Sequence, residues 1–377
     1  MKRIAILTLY YKNSNYGGVL QAYALQKFLQ NQGYDSKQIS YDLESGYEGY
    51  FLKKLIKNFK TLIKILIRQE WYTRHKSYEK KIYKFAEMIP HTRKLKANNI
   101  SKISNDFDAF IVGSDQVWNP IGWQKVLFFS FLPKDKFCMS YAASIARDSL
   151  SKEEISFIKD NIDHFSYISI REKDMINTLS KWIPNKTFDV MPDPTFLLDS
   201  SQWRKLINNR LITSKYIFAY FLGTEKKHRQ DAILYAIKHG LKIVFIPYMN
   251  KQMYEWDKKH MEYMMENVGV NEFLSLIFFA ECVITDSFHG VVFSLKYNKP
   301  FYVLPRFTNN DKNSMNSRIS MIVEEFGMGD RFINSLNFDE SYELTMSEEK
   351  RIETNMERLR KKGKDYLEKA LGCLNYE

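Results

Sequence analysis

Short apolar runs, each about one strand long, alternate along this chain with stretches of helical period, and that rhythm fixes the fold class. Ala109-Phe110-Ile111-Val112 is the clearest, four apolar residues running straight into the polar Gly113-Ser114-Asp115-Gln116. A strand apolar on both faces needs cover on both faces, so the rhythm predicts βαβ units and a parallel sheet. Strands are expected at 3–9, 36–41, 109–112, 136–142, 167–170 and 188–190, with helices over 18–32 and 152–161. The pattern restarts beyond Pro192-Asp193-Pro194. Strands are then expected at 216–221, 242–247, 282–284 and 300–304, with helices over 227–239, 271–280, 316–326 and one opening at Ser287. A long charged helix is expected over 348–371.

The chain has 377 residues, 45% of them hydrophobic, enough for two domains of ordinary size. We place them at 1–205, carrying a basic helical insertion at about 51–105, and 206–340, with a terminal helix in 341–377. Ile4-Ala5-Ile6-Leu7 is cut short by Tyr10-Tyr11-Lys12-Asn13 and does not read as a secretory signal. No run approaches the roughly 18 to 20 apolar residues of a membrane span. Cys138, Cys282 and Cys373 are too far apart for a disulfide framework or a Cys-rich metal site, so a reduced, cytoplasmic protein is expected.

The formal charge of +12 favours anionic partners. Much of it lies in 51–88, where Lys53, Lys54, Lys57, Lys60, Lys64 and Arg68 flank Leu52, Leu55, Ile56, Phe59, Leu62 and Ile63. That is a basic amphipathic helix, with a second expected from about Tyr72. It can lie on the inner face of an anionic membrane, or it can simply pack its apolar stripe and expose its lysines. No nucleic-acid motif is present.

In open α/β sheets ligands sit beyond the carboxyl ends of the strands. The loops at Asn15, Ser114, Arg171, Asp193 and His289 all fall there, so a cleft between the halves is the expected site. Thr285-Asp286-Ser287-Phe288-His289-Gly290 follows a buried strand, and Ser287 can cap the next helix, placing His289 in its first turn. Free backbone N–H groups and the helix dipole favour an anion beside that imidazole. Alternatively His289 only caps its helix or packs in a core.

Gly17-Gly18, behind Asn15, allows close approach of a ligand to the backbone, or merely a tight turn. Gln21 lies one turn further on and can face the cleft. Neither a dinucleotide fingerprint nor a Walker loop is formed. Ser114, Asp115 and Gln116 can bond ligand hydroxyls or cap a helix, and Trp118 offers a flat surface to a sugar or base. Arg171, directly after a strand, can clamp a carboxylate or phosphate, or form a salt bridge to a neighbouring acid. Lys296 and Arg318 can add positive charge or be solvated helix residues. The remaining histidines are expected at the surface. No zincin, serine-hydrolase or clustered metal-ligand pattern appears.

Taken in order, NYGGVLQAYAL (15–25), VGSDQVWNP (112–120), SYAASI (140–145), SIREKD (169–174), DPTFLL (193–198) and TDSFHGVVFSLK (285–296) resemble the polysaccharide pyruvyl transferase family. The resemblance implies a GT-B-like fold, with two facing Rossmann-like domains of parallel sheet and a C-terminal helix crossing back to the first. It implies ketal pyruvyl transfer from phosphoenolpyruvate to two hydroxyls of one sugar, in capsular, exopolysaccharide or cell-wall glycan synthesis, without a further cofactor. The acceptor would be lipid-linked or nucleotide-linked. His289 matches the family's catalytic histidine and Arg171 its donor-binding arginine, with Asp193 and Ser287 in matching motifs. Two other readings stay open at this point, a glycosyltransferase using a nucleotide sugar on the same architecture and a membrane-associated scaffold without catalysis.

Overall fold

The computed structural model describes residues 1–47, 50, 53–56, 61, 69–120, 124–147, 149–248, 254–307 and 316–375. Two compact units emerge: Met1–Gln69, Ile82–Leu198 and Leu359–Glu377 form one, Glu70–Lys81 and Asp199–Arg358 the other.

The first unit is built on β1 (Arg3–Leu7), β2 (Asp35–Gln38), β3 (Ala109–Val112) and β4 (Phe137–Ser140). All pairings are parallel and the order is β2-β1-β3-β4. A parallel pair, β5 (Ile168–Ile170) and β6 (Phe188–Val190), continues beside it through bridges Met139↔Tyr167 and Ala143↔Ile170. Strand β3 is buried along its whole length, as four consecutive apolar residues require. Helix α1 (Tyr16–Asn31) follows β1 and is capped by Asn15, whose side chain accepts from Gly17 N at 2.8 Å. The long helix α2 spans Gln69–Glu87, of which Glu70–Lys81 belongs to the second unit. Helix α3 (Lys152–Asn161) starts on a capping box between Ser151 and Glu154. Helix α4 (Met175–Trp182) is not expected from the sequence, and its start carries no side-chain cap to announce it.

In the second unit α5 (Ser200–Arg204) precedes β7 (Tyr216–Tyr220), α6 (Lys226–Lys238) and β8 (Lys242–Phe245). Then come α7 (Glu255–Lys259), α8 (Val270–Phe278), β9 (Cys282–Thr285), α9 (Phe288–Lys296), β10 (Phe301–Val303) and α10 (Ser317–Glu325). Its sheet is again all parallel, in the order β10-β9-β7-β8. The first sheet, taken in chain order, places its second strand outermost beside the first, then the third and fourth. It therefore reverses direction between β1 and β3, and the second sheet does so between β7 and β9. Loops leaving such a pair diverge, and the crevice they open is where α/β sheets bind ligands.

Helix α11 (Met346–Gly372) is the last α-helix described, and its part from Leu359 onward belongs to the first unit. Tyr366 Oη donates to Ser140 O at 2.9 Å at the end of β4. Gly363 lets the helix approach the Tyr141 hydroxyl and Leu197 more closely than a Cβ would permit. Of the expected membrane-contact segment 51–88, residues 51–52, 57–60 and 62–68, which hold most of the first basic amphipathic helix, lie outside the described residues, and the second expected helix is α2. Among the described residues no helix is long and apolar enough to cross a membrane.

Candidate active site

In the first unit the crevice between β1 and β3 is closed by its own polar groups. Just past β1, Thr8 Oγ1 donates to Ser114 O at 2.7 Å and accepts from Gln21 Nε2 at 2.9 Å. The Gln21 amide also donates to Gly18 O at 2.8 Å and accepts from Ser114 N at 3.1 Å. Ser114 Oγ donates to Ala142 O at 2.8 Å and accepts from Arg171 Nη2. That same Nη2 lies 2.6 Å from Asp193 Oδ2, in a pair with the arginine side chain 7% and the aspartate 0% exposed. Thr195 fixes the other carboxylate oxygen through its amide at 2.9 Å and its hydroxyl at 2.7 Å.

Several expectations are corrected by this network. Gln21 and Ser114 are both fully buried, because the backbone groups where β1 and β3 end need partners. Asp193 is buried as the counter-ion of Arg171, so of the two roles open to Arg171 the salt bridge is the arrangement observed. Trp118 is no platform for a sugar. Its ring is sealed in the core, stacked on Phe128 at 5.3 Å, with its indole N–H on Leu127 O. Gly18 realises the tight-turn alternative, since a Cβ there would lie 2.5 Å from Asn13 Nδ2 and 3.2 Å from Leu9 O. Gly17 is buried beside it, its N–H on the Asn15 side chain. Asn15 is exposed, and Asp115 and Gln116 are half-buried, so these three keep access to solvent. Glu172, to which no role is assigned above, is buried and anchors the loop after β4 by accepting from Ile145 N at 3.1 Å and Ala146 N at 3.2 Å.

The second unit keeps its chemistry more open. Ser287 caps α9, its side chain accepting from Gly290 N at 3.4 Å, and His289 sits half-buried in the first turn. Ser287 is thus buried as a cap rather than presented to a ligand. Thr285 locks the turn by donating to Tyr220 O at 2.6 Å and accepting from Ser287 N at 3.0 Å. Gly290 packs against that threonine, where a Cβ would lie 2.6 Å from Oγ1. Gly290→Ala is therefore expected to cost about 1–3 kcal/mol in a urea denaturation series, because the threonine is held by two hydrogen bonds and cannot yield.

Asp286 enters the sequence reading only as part of its motif, yet it organises this end of the sheet. One carboxylate oxygen accepts from Leu222 N and the other from Gly223 N, both at 2.7 Å, tying the loop after β7 to the loop after β9. Arg306 Nη2 donates to Asp286 O at 2.7 Å and lies 3.6 Å from Oδ1. Arg306, Phe307, Asn316, Arg318, Ile319 and Phe288 line one small pocket, with the Arg318 guanidinium 5.6 Å from the Phe288 ring centre. Arg306 escapes the sequence reading, although it follows β10 much as Arg171 follows β5. Lys296 is corrected: it is buried at the far end of α9, seven residues or about 10 Å of helix rise from His289. His228, expected at the surface, is buried at the start of α6, and that desolvation lowers its pKa.

Burial pushes the Cys138 and Cys282 thiols up to about 12, which leaves them without thiolate character. Among the described residues no group of three or more His, Cys, Asp or Glu is placed to hold a metal ion.

Known proteins bear on the chain at two levels. Among solved structures it is similar to UDP-GlcNAc 2-epimerase of Neisseria meningitidis, with 13% identity, 96% of this chain and 100% of that one covered, and a TM-score of 0.47. It is also similar to a glycosyltransferase of Streptomyces nogalater (13%, 100% of both chains, 0.44) and to an E. coli heptosyltransferase (10%, 86% and 99%, 0.38). TM-scores below 0.5 carry no argument about activity. No curated protein sequence matches significantly. The model of one family, however, matches residues 15–306, from the Asn15 cap to Arg306. This chain belongs to the polysaccharide pyruvyl transferase family and is a transferase.

Proposed function

We propose that the chain transfers the pyruvyl group of phosphoenolpyruvate onto two hydroxyls of a sugar, forming a cyclic ketal and releasing phosphate. The observation that carries this reading is His289 in the first turn of α9, with Arg306 and Arg318 in the pocket beside the same helix start. An imidazole is the usual proton donor near neutral pH, and two guanidiniums with a helix N-terminus suit a donor bearing carboxylate and phosphate.

In the reaction we assign, His289 delivers a proton to the methylene carbon of the donor, and positive charge develops at the neighbouring carbon. A sugar hydroxyl attacks that carbon and gives up its proton to the imidazole. The C–O bond to phosphate then breaks, with arginine charge stabilising the departing dianion. A second hydroxyl of the same sugar attacks that carbon and passes its proton to the departing phosphate, which leaves as the hydrogen phosphate dianion while the ketal closes. One phosphate leaves for each pyruvyl group added. The acceptor is read as a lipid-linked or nucleotide-linked sugar of a capsular, exopolysaccharide or cell-wall pathway.

Donor identity is tested by thermal unfolding with added ligands. Phosphoenolpyruvate at a hundred times its dissociation constant should stabilise the protein by about 2.7 kcal/mol, and a nucleotide sugar offered alone as donor should not match it. The reverse pattern would assign the site to glycosyl transfer. Stabilisation by neither, together with binding to anionic vesicles, would favour a scaffold.

A further inference from the structure

We infer that Arg306 binds the phosphate of the donor and that Asp286 positions it for this; the inference rests on the pyruvyl-transfer reading. Arg306 is fixed at both ends. Its backbone N–H, at 3.1 Å, and that of Phe307, at 3.3 Å, donate to Asn316 Oδ1, while Asn316 Nδ2 returns a bond to Phe307 O at 2.8 Å. Its guanidinium is held at Nη2 by the backbone oxygen and carboxylate of Asp286. Nε is buried and has no hydrogen-bond partner among the described residues. A fork anchored by one nitrogen keeps its other donors in a fixed plane, as bidentate recognition of an oxyanion needs.

Asp286 is only 1% exposed and each of its carboxylate oxygens accepts a backbone N–H, from Leu222 and Gly223, so it serves as a rigid orienting group. Gly223 belongs to the same arrangement, because a Cβ there would lie 2.8 Å from Asp286 Oδ2 and 3.2 Å from Arg306 Cγ. Phosphate is chosen over carboxylate by charge. Arg306 and Arg318 share one pocket at the start of the helix that carries His289, and two cations beside a helix N-terminus match a dianion better than a monoanion.

The test uses the full chain with steady-state kinetics on phosphoenolpyruvate and acceptor, plus inhibition by inorganic phosphate and, separately, by pyruvate. Arg306→Gln should raise the KM for phosphoenolpyruvate and the inhibition constant of phosphate by about ten- to a hundredfold. The acceptor KM, the pyruvate inhibition constant and the melting temperature should stay close to wild type. Arg306→Lys, which keeps the charge but loses the fork, should recover only part of the loss. Unchanged donor KM and phosphate inhibition in Arg306→Gln would overturn the inference, as would a parallel loss for donor and acceptor that tracks a lowered melting temperature. A larger effect on pyruvate than on phosphate would reassign Arg306 to the carboxylate and equally defeat it. If the wild type neither binds nor consumes phosphoenolpyruvate, the pyruvyl-transfer reading falls first; if the wild type works and Arg306→Gln matches it, this inference falls alone.

Discussion

His289→Ala is expected to slow phosphate release from phosphoenolpyruvate and acceptor by about 10²- to 10⁴-fold, the range attributed to general acid/base help. That corresponds to about 3–5 kcal/mol of barrier. The expectation rests on placement. Thr285 and Ser287 fix the turn through three hydrogen bonds, so the imidazole is delivered to the first turn of α9 by a rigid support. Because that support lies in other residues, the variant should melt close to wild type, separating a chemical from a structural role. A single-turnover assay of phosphate release, read beside a thermal melt, checks both halves. A melting temperature that fell together with the rate would point to a packing role for the ring.

The second large effect concerns stability. Asp193→Ala should destabilise the protein by about 3–5 kcal/mol, because it strips the carboxylate from a guanidinium held almost wholly out of water. Asp193 also holds the turn at Thr195 through two bonds, so its loss loosens the chain that follows β6. Replacing both partners with apolar residues of similar volume, Arg171→Met with Asp193→Leu, should recover much of the loss, since neither charge then remains buried. Urea midpoints for the two single variants and the double variant measure the coupling. Additive losses would show that the pair does not act as a unit.

How far the sequence discloses this arrangement depends on which physical signal each residue leaves. A strand buried on both faces is unmistakable, and the expected limits of 109–112 match the observed ones; those of 188–190 and of helix 152–161 with its capping serine match as well. Where a strand end turns polar, the limit slips by a residue or two. The expected first strand takes in Thr8 and Leu9, yet β1 ends at Leu7 and Thr8 serves the crevice. The start of α9 is legible because a serine between an apolar strand and an apolar helix has little to do but cap.

Polar residues at strand ends are harder, because a group that meets a ligand and one that satisfies buried backbone leave the same letter in the sequence. Gln21 and Ser114 are of the second kind, and Arg171 meets its acid in Asp193, about twenty residues along the chain. Trp118 misleads for a related reason. It follows a polar loop, but the chain turns inward there and the ring stacks on Phe128. Arg306 stays hidden because its partners, Asp286 and Asn316, are 20 and 10 residues away.

The most direct test of the account is mass spectrometry of a panel of lipid-linked and nucleotide-linked sugars after incubation with phosphoenolpyruvate, using wild type and His289→Ala. The account predicts one acceptor that gains a pyruvate ketal with stoichiometric phosphate release by the wild type, and a gain lowered at least about a hundredfold by the variant. Pyruvyl addition at equal rates by both proteins, or hexose addition from a nucleotide sugar in its place, would contradict it.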